Sequence, residues 1–381
     1  MIVKGARVFS ESGGFEERNI FIDGEFISGD AGGDVVDASG CTAIPGLIDL
    51  HLHGCVGREF TSADENGVRA MMEYEASNGV TALCPTTLTL AEETLAAACG
   101  VFSRSAANSI SKGSSIVGIY LEGPFISAQK LGAQNPDYVR LPNAALYRRL
   151  QETAGGLIKV LTIAPEIEGA LDVIAELKDE VVISLAHTTA DYETASEAYY
   201  RGARQATHLY NAMPAFHHRA PGVIGAAFDA PHCRVELICD GIHIHPSAVR
   251  ATFAMFGDDR VLMISDSMMA TGLEDGDYEM GGLAVTVRDR MATLTHGGAI
   301  AGSATNLMGC LRTAVRDMGI PLHTAVKCAS VNPARAIGLF GERGSLDPGK
   351  YADVVLLDNE LAIRGVILRG HRLNDTQTQT S

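Results

Sequence analysis

Eight short apolar runs rich in β-branched residues recur along the middle of this chain, and their rhythm constrains the fold more than any other feature. They cover residues 43–52, 80–85, 115–121, 159–164, 181–186, 205–209, 235–239 and 261–265. Helical patterns lie between them, at 63–77, 91–103, 144–151, 170–178, 192–201 and 247–256. Parallel strands need a long return path between them, and a helix supplies it. Strands alternating with helices therefore read as parallel β/α units. Eight such units predict an α/β fold of the (β/α)8, TIM-like barrel class. The competing doubly wound sheet lacks its signature, since no Gly-x-Gly-x-x-Gly opens a helix after the first strand.

The two ends read differently. Residues 1–9, 19–23 and 25–28 have strand character, with a hairpin turn at Asp23-Gly24. Residues 352–358 and 363–368 are again β-rich, with turns at Asp347-Pro348-Gly349 and Gly370. This pattern predicts one small β domain built from both termini. Residues 374–381 are polar enough to fray.

Charge narrows the ligands. Thirty Lys and Arg against 46 Asp and Glu give a formal charge of −16, which disfavours general binding to nucleic acid or to an anionic membrane. An anionic ligand would need a local basic pocket. No apolar run approaches the roughly 20 residues of a membrane span, and no apolar segment of a signal peptide follows Met1. The eight cysteines form no Cys-x-x-Cys pair, and most lie in apolar runs. They read as buried free thiols of a reducing, cytoplasmic compartment.

In a parallel barrel, chemistry gathers at the carboxyl ends of the strands. There the runs deliver His51-Leu52-His53, Glu122, His187, His208, Asp240 and Asp266 in chain order. Thr86-Thr87 and Glu166 follow the second and fourth runs. His51 and His53, two apart on a strand, face the same side and can reach one metal ion. Imidazole and carboxylate ligands together suit Zn²⁺ or Fe²⁺. Asp266 reads as a ligand, as a general base toward an activated water, or as a helix N-cap. His217-His218-Arg219 reads as a solvated turn or as a cationic spot for an anion. His243 and His245 read as ligands, substrate contacts or loop residues. The Gly-rich stretch 297–303 could cradle phosphate with backbone N–H groups. Cys55 reads as packing. No Gly-x-Ser-x-Gly elbow is present, so metal-assisted hydrolysis fits better than a serine nucleophile.

The motifs Pro45-Gly46-Leu47-Ile48-Asp49-Leu50-His51-Leu52-His53-Gly54, Leu121-Glu122-Gly123-Pro124, Thr207-His208-Leu209-Tyr210-Asn211-Ala212-Met213, Cys239-Asp240-Gly241-Ile242-His243 and Gly344-Ser345-Leu346-Asp347-Pro348-Gly349-Lys350 resemble the amidohydrolase superfamily. Within it they resemble the N-acetylglucosamine-6-phosphate deacetylases, over nearly the whole length. The resemblance implies a barrel at 45–339 and a small β-sandwich from 1–44 and 340–381. It implies a homodimer that hydrolyses N-acetylglucosamine 6-phosphate to glucosamine 6-phosphate and acetate. It implies a divalent ion, zinc or iron, with one or two per subunit. Glu122, His187 and His208 would be the main ligands, and His51 and His53 would serve a second ion. Asp266 would take the proton of the attacking, metal-activated water and return it to the departing amine. Ala133, Asn211, Ala212, Arg219, Asp240, Gly241, Ile242, His243, Ile300, Ala301 and Gly302 would line the substrate, with Arg219 reaching its phosphate across the dimer. Gln134 stands where some members have His, and Ser265 where Thr is commoner. The alternatives are the galacto epimer of the substrate, another amidohydrolase opening a cyclic amide, and a noncatalytic binding barrel.

Overall fold

The computed structural model describes residues 1–108 and 112–373, so the fraying expected at 374–381 lies outside the described residues. The eight expected strands are present: β1 Leu47–Leu52, β2 Val80–Pro85, β3 Ile119–Leu121, β4 Ile158–Ile163, β5 Val182–Leu185, β6 Gln205–Ala206, β7 Arg234–Ile238 and β8 Val261–Ile264. A helix follows each: α1 Glu65–Ser77, α2 Glu92–Ala107, α3 Ala144–Thr153, α4 Ala170–Leu177, α5 Tyr192–Arg201, α6 Gly222–Asp229, α7 Pro246–Phe256 and α8 Leu307–Arg316.

All eight strands run parallel. β1 pairs with β2, and β2 with the lead-in strand Ser115–Ile116. β3 to β8 form a continuous six-stranded ladder. Parallel bridges Thr86↔Tyr120 and Leu52↔Ser267 carry pairing across the two remaining edges. The sheet is therefore curled. One apolar cluster fills its inside, with Ile48, Leu50, Ala82, Tyr120, Val160 and Leu262 among its members. A larger cluster packs the outer faces of the strands against the helices. That double burial is why the runs are apolar throughout instead of alternating.

Two of these eight helices were not evident in the sequence. α6 is Gly-Val-Ile-Gly-Ala-Ala-Phe-Asp, buried from Gly222 to Ala227, so it shows no polar face to mark its period. α8 is displaced from β8 by three antiparallel strands, Gly276–Met280, Leu283–Arg288 and Met291–Leu294. The first two strands are joined at Gly281-Gly282, both with positive φ, the conformation that favours Gly in a two-residue hairpin.

The ends of the chain share a six-stranded sheet in which Thr42–Pro45 lies between Arg7–Ser10 and Val354–Leu357. The expected hairpin at Asp23-Gly24 forms, with Asp23 paired to Phe26. A second sheet holds Ile2–Lys4, Ile20–Asp23, Phe26–Ser28 and Val35–Asp37. The apolar run at 43–52 is thus two strands in two different sheets, divided at Gly46. A Cβ at Gly46 would fall 2.1 Å from Thr81 Oγ1 and 2.8 Å from Thr81 Cβ, so only glycine allows β1 to enter here. Among the described residues no helix is long and apolar enough to cross a membrane. The cysteines are free, and all but Cys41 are buried.

Gly46→Ala is expected to cost about 1–3 kcal/mol by overpacking against Thr81, read as a lower midpoint of urea unfolding. An unchanged midpoint would show that the junction has slack.

Candidate metal centre

Five strand ends deliver six ionisable side chains to one place. His51 and His53 come from β1, and Glu122, His187, His208 and Asp266 follow β3, β5, β6 and β8. All are buried. His187 Nε2 and His208 Nε2 lie 3.2 Å apart, and each is 3.0 Å from Glu122 Oε1. His53 Nε2 is 3.2 Å from Asp266 Oδ1 and 3.3 Å from Glu122 Oε2. His51 Nε2 is 3.6 Å from both Glu122 Oε1 and Asp266 Oδ1. Two sets of three result, His51–His53–Asp266 and Glu122–His187–His208.

The backbone is bent to bring them there. His187, His208 and Asp266 adopt positive φ of 45°, 29° and 50°. For residues other than glycine this costs about 1–3 kcal/mol each and concentrates at functional sites. Asp266 N–H donates to the His51 carbonyl at 2.9 Å, and His53 N–H donates to the Ser267 carbonyl at 2.7 Å, which fixes β1 beside the end of β8. The next element after Asp266 is the strand Gly276–Met280 and not a helix, so the N-cap alternative fails.

The residues fit a divalent cation. A tetrahedral ion with bonds of roughly 2.0–2.1 Å separates its ligand atoms by roughly 3.3–3.4 Å, close to the spacings seen. His187 Nδ1 lies 2.8 Å from the Lys130 carbonyl oxygen, and His51 Nδ1 lies 3.1 Å from Glu236 Oε2. Each can donate its Nδ1–H there, leaving a lone pair on Nε2 aimed into the cluster. His51 Nε2 is buried with no hydrogen-bond partner. Burial alone would push Glu122 up. The imidazoles of His187, His51 and His208 outweigh it and hold the carboxyl well below the usual range. Burial likewise opposes charge on His51 and His53, but the neighbouring carboxylates raise them to about 9 and about 10. The centre thus demands positive charge, which is what a divalent ion supplies.

A cavity of about 260 Å³ opens over the cluster. Of the expected substrate contacts, Ala133, Asn211, Ala212, His243, Ile300 and Gly302 line it. Ala301 is buried behind. Asp240 sits behind His243. Its carboxylate lies 2.7 Å from His243 Nδ1 and accepts the N–H groups of Ile242 and His243 at 2.9 Å. Burial opposes a charge on His243, and Asp240 outweighs it and raises its pKa. Arg219 lies outside the cavity wall, with Nη1 2.9 Å from His218 Nε2. His245 caps α7. Glu166 accepts from Thr188 Oγ1 at 2.5 Å and from Thr189 N–H at 2.6 Å, which braces the loop after His187.

Two supporting residues escaped the sequence reading. Glu236 holds His51, and it also accepts from Gln205 Nε2 at 2.5 Å and from His208 N–H at 3.2 Å. Its signal was a charge inside the apolar run Val235-Glu236-Leu237. Gln134, noted only as a departure from relatives, is a clamp. Its Nε2 donates to Glu122 Oε2 at 2.6 Å, and its Oε1 accepts from Thr89 N–H at 2.6 Å. Met280 and Ala299, from the strands after β8 and the loop that follows them, close the cavity from above.

Comparison with known proteins gives a consistent picture. The amidohydrolase family profile matches residues 42–373. The N-acetylglucosamine-6-phosphate deacetylase of Bacillus subtilis (strain 168) is 39% identical over 332 residues, covering 86% of this chain and 83% of its own. The N-acetylgalactosamine-6-phosphate deacetylase of Escherichia coli O157:H7 is 33% identical over 327 residues, covering 86% of each. A solved structure of an N-acetyl-D-glucosamine-6-phosphate deacetylase mutant from Mycobacterium smegmatis, in complex with N-acetyl-D-glucosamine-6-phosphate, matches with a TM-score of 0.92 at 32% identity. It covers 98% of this chain and 99% of that one.

Gln134→Leu is expected to fold normally but to bind its divalent ion roughly 10–100-fold more weakly, as loss of a ligand's outer partner does. Competition with a chromophoric chelator measures this, and unaltered affinity would show the clamp to be idle.

Proposed function

The chain belongs to the amidohydrolase family, and from that premise we propose that it removes the acetyl group from N-acetylglucosamine 6-phosphate, giving glucosamine 6-phosphate and acetate. The observation that carries this reading is the pair of carboxylate–imidazole sets at the floor of a cavity sized for one sugar. We read the curled parallel sheet as a closed (β/α)8 barrel at 45–339, and the terminal sheets as a β-sandwich of 1–44 and 340–381.

Glu122, His187 and His208 would hold the principal ion, and His51, His53 and Asp266 stand ready for a second, with zinc or iron suited to both sets. When bound, such an ion polarises the acetyl carbonyl and acidifies water. Asp266 accepts the proton of the attacking water at a carboxylate oxygen. It then delivers that proton to the amide nitrogen, because an amine departs readily only when protonated. Asp240 at Nδ1 favours the protonated form of His243, the form in which Nε2 can donate toward a substrate oxygen. Ala133, Asn211 and Ala212 shape one wall, and Ile300 and Gly302 the other. In a homodimer Arg219 would reach the neighbouring cavity and pair with the phosphate, which supplies the local cation that an acidic chain needs. A soluble cytoplasmic enzyme acting on a small phosphorylated amino sugar accords with the free buried thiols.

The second reading is the same reaction on the galacto epimer, favoured by the named activity of the Escherichia coli relative. The ratio of kcat/KM on the two acetylated sugar phosphates decides between them. Turnover of the gluco sugar, abolished by chelation and restored by zinc or iron, is the expected result. Turnover of neither sugar by metal-loaded protein would overturn the reading. Asp266→Asn is expected to retain the ion held by Glu122, His187 and His208 and to lose about 100-fold or more in kcat. A near-normal kcat would remove Asp266 from proton transfer.

A further inference from the structure

The amino ends of the same strands carry a feature that deacetylation does not use. Lys159 on β4, Arg204 just before β6 and Arg234 at the start of β7 stand at the end of the sheet opposite the carboxylate–imidazole sets. Lys178, which follows α4, joins them. Two adjoining cavities of about 320 and 550 Å³ open among these side chains and share Lys178, Asp179 and Arg204. Arg234 pairs with Gln205, and its N–H donates to the Arg204 carbonyl at 2.9 Å. Both arginines border the larger cavity. Among the described residues, none of these four cations has a side-chain hydrogen bond or ion pair. Burial first, and then the charges of Arg335 and Arg204, disfavour the cation on Arg234.

A bland explanation covers only part of this. Cations favour helix carboxyl ends, which accounts for Lys178 and for Arg201. Arg201 is in any case engaged by Glu197 and Asp172. It does not account for Lys159, Arg204 and Arg234, which are placed by strands. Two carboxylates border the site. Glu180 is held by Arg148 at 2.6 Å, which leaves Asp179 alone facing the cations. A chain of net charge −16 thus sets four cations against the single carboxylate of Asp179 around a concave surface, and the excess positive charge there favours an entering anion.

We propose that this pole is a second ligand site, which binds a small phosphate ester bearing two phosphate groups, one in each cavity. Arg204 lies between the cavities and can hold either phosphate with two parallel N–H donors, while Lys159 and Arg234 set the two ends. Tyr200, 87% exposed on the rim of the larger cavity, offers a ring face to the body of the ligand.

The test is calorimetric titration of the metal-loaded protein with fructose 1,6-bisphosphate as probe, at about 0.15 M salt. The expected result is one saturable site with Kd below about 1 mM. Arg204→Gln and Arg234→Gln should each weaken it by about tenfold or more and leave kcat/KM for the acetylated sugar phosphate unchanged. Arg219→Gln should leave the probe's affinity intact. Arg204 is exposed, so its substitution leaves the core undisturbed. No saturable binding, or binding lost in Arg219→Gln but kept in Arg204→Gln, would overturn the proposal. The second outcome would place the probe in the cavity above the metal centre.

Discussion

A buried carboxylate cannot stay ionised without compensation, and at Glu122 that requirement organises the carboxyl ends of the strands. Taking such a charge out of water costs several kcal/mol unless partners surround it. Here the partners are four imidazoles and one amide, contributed by β1, by the turns after β5 and β6, and by the segment that carries Gln134. Strands at opposite ends of the sheet order must therefore curl until they meet. The backbone strain at His187, His208 and Asp266 is the local cost of that convergence. The inside apolar cluster and the bridges at Leu52 and Thr86 hold the curl from below.

The ladder of supports outside the ligand atoms is equally specific. Glu236 fixes the Nδ1 face of His51, the Lys130 carbonyl fixes that of His187, and Gln134 fixes one oxygen of Glu122. Two of these three come from the segment after β3 that also forms a wall of the cavity. The surface that meets a sugar is thus continuous with the surface that orients the metal ligands. A shift of that segment would be felt by both, which is a direct physical route for coupling the two binding events.

Much of this was legible in the sequence because the periodic signals are strong. Apolar runs buried on both faces mark the strands, and ionisable residues at their ends mark the site. α5 and the strand Ile363–Leu368 run over the residues anticipated for them. What was not legible depends on contacts between distant positions. Gln134 and Glu122 lie 12 residues apart, and Glu236 is 185 residues from His51, so nothing local reveals either pair. The positive φ angles occur at His and Asp, whose identity does not announce them. α6 lacks a polar face because both its sides are covered. The strands between β8 and α8 had a Gly-Gly turn as their signal, but their flanks mix exposed and buried positions irregularly.

Thr42–Pro45 lies between a strand from the start of the chain and one from its end. During synthesis the ribosome releases Arg7–Ser10 and Thr42–Pro45 long before Val354–Leu357 emerges, so the apolar edge of Thr42–Pro45 waits unpaired while the whole β/α array is made. Completion of that sheet is thus a late event in biogenesis. A nascent chain stalled within the array would present an open strand edge to chaperones and to its neighbours on the same message.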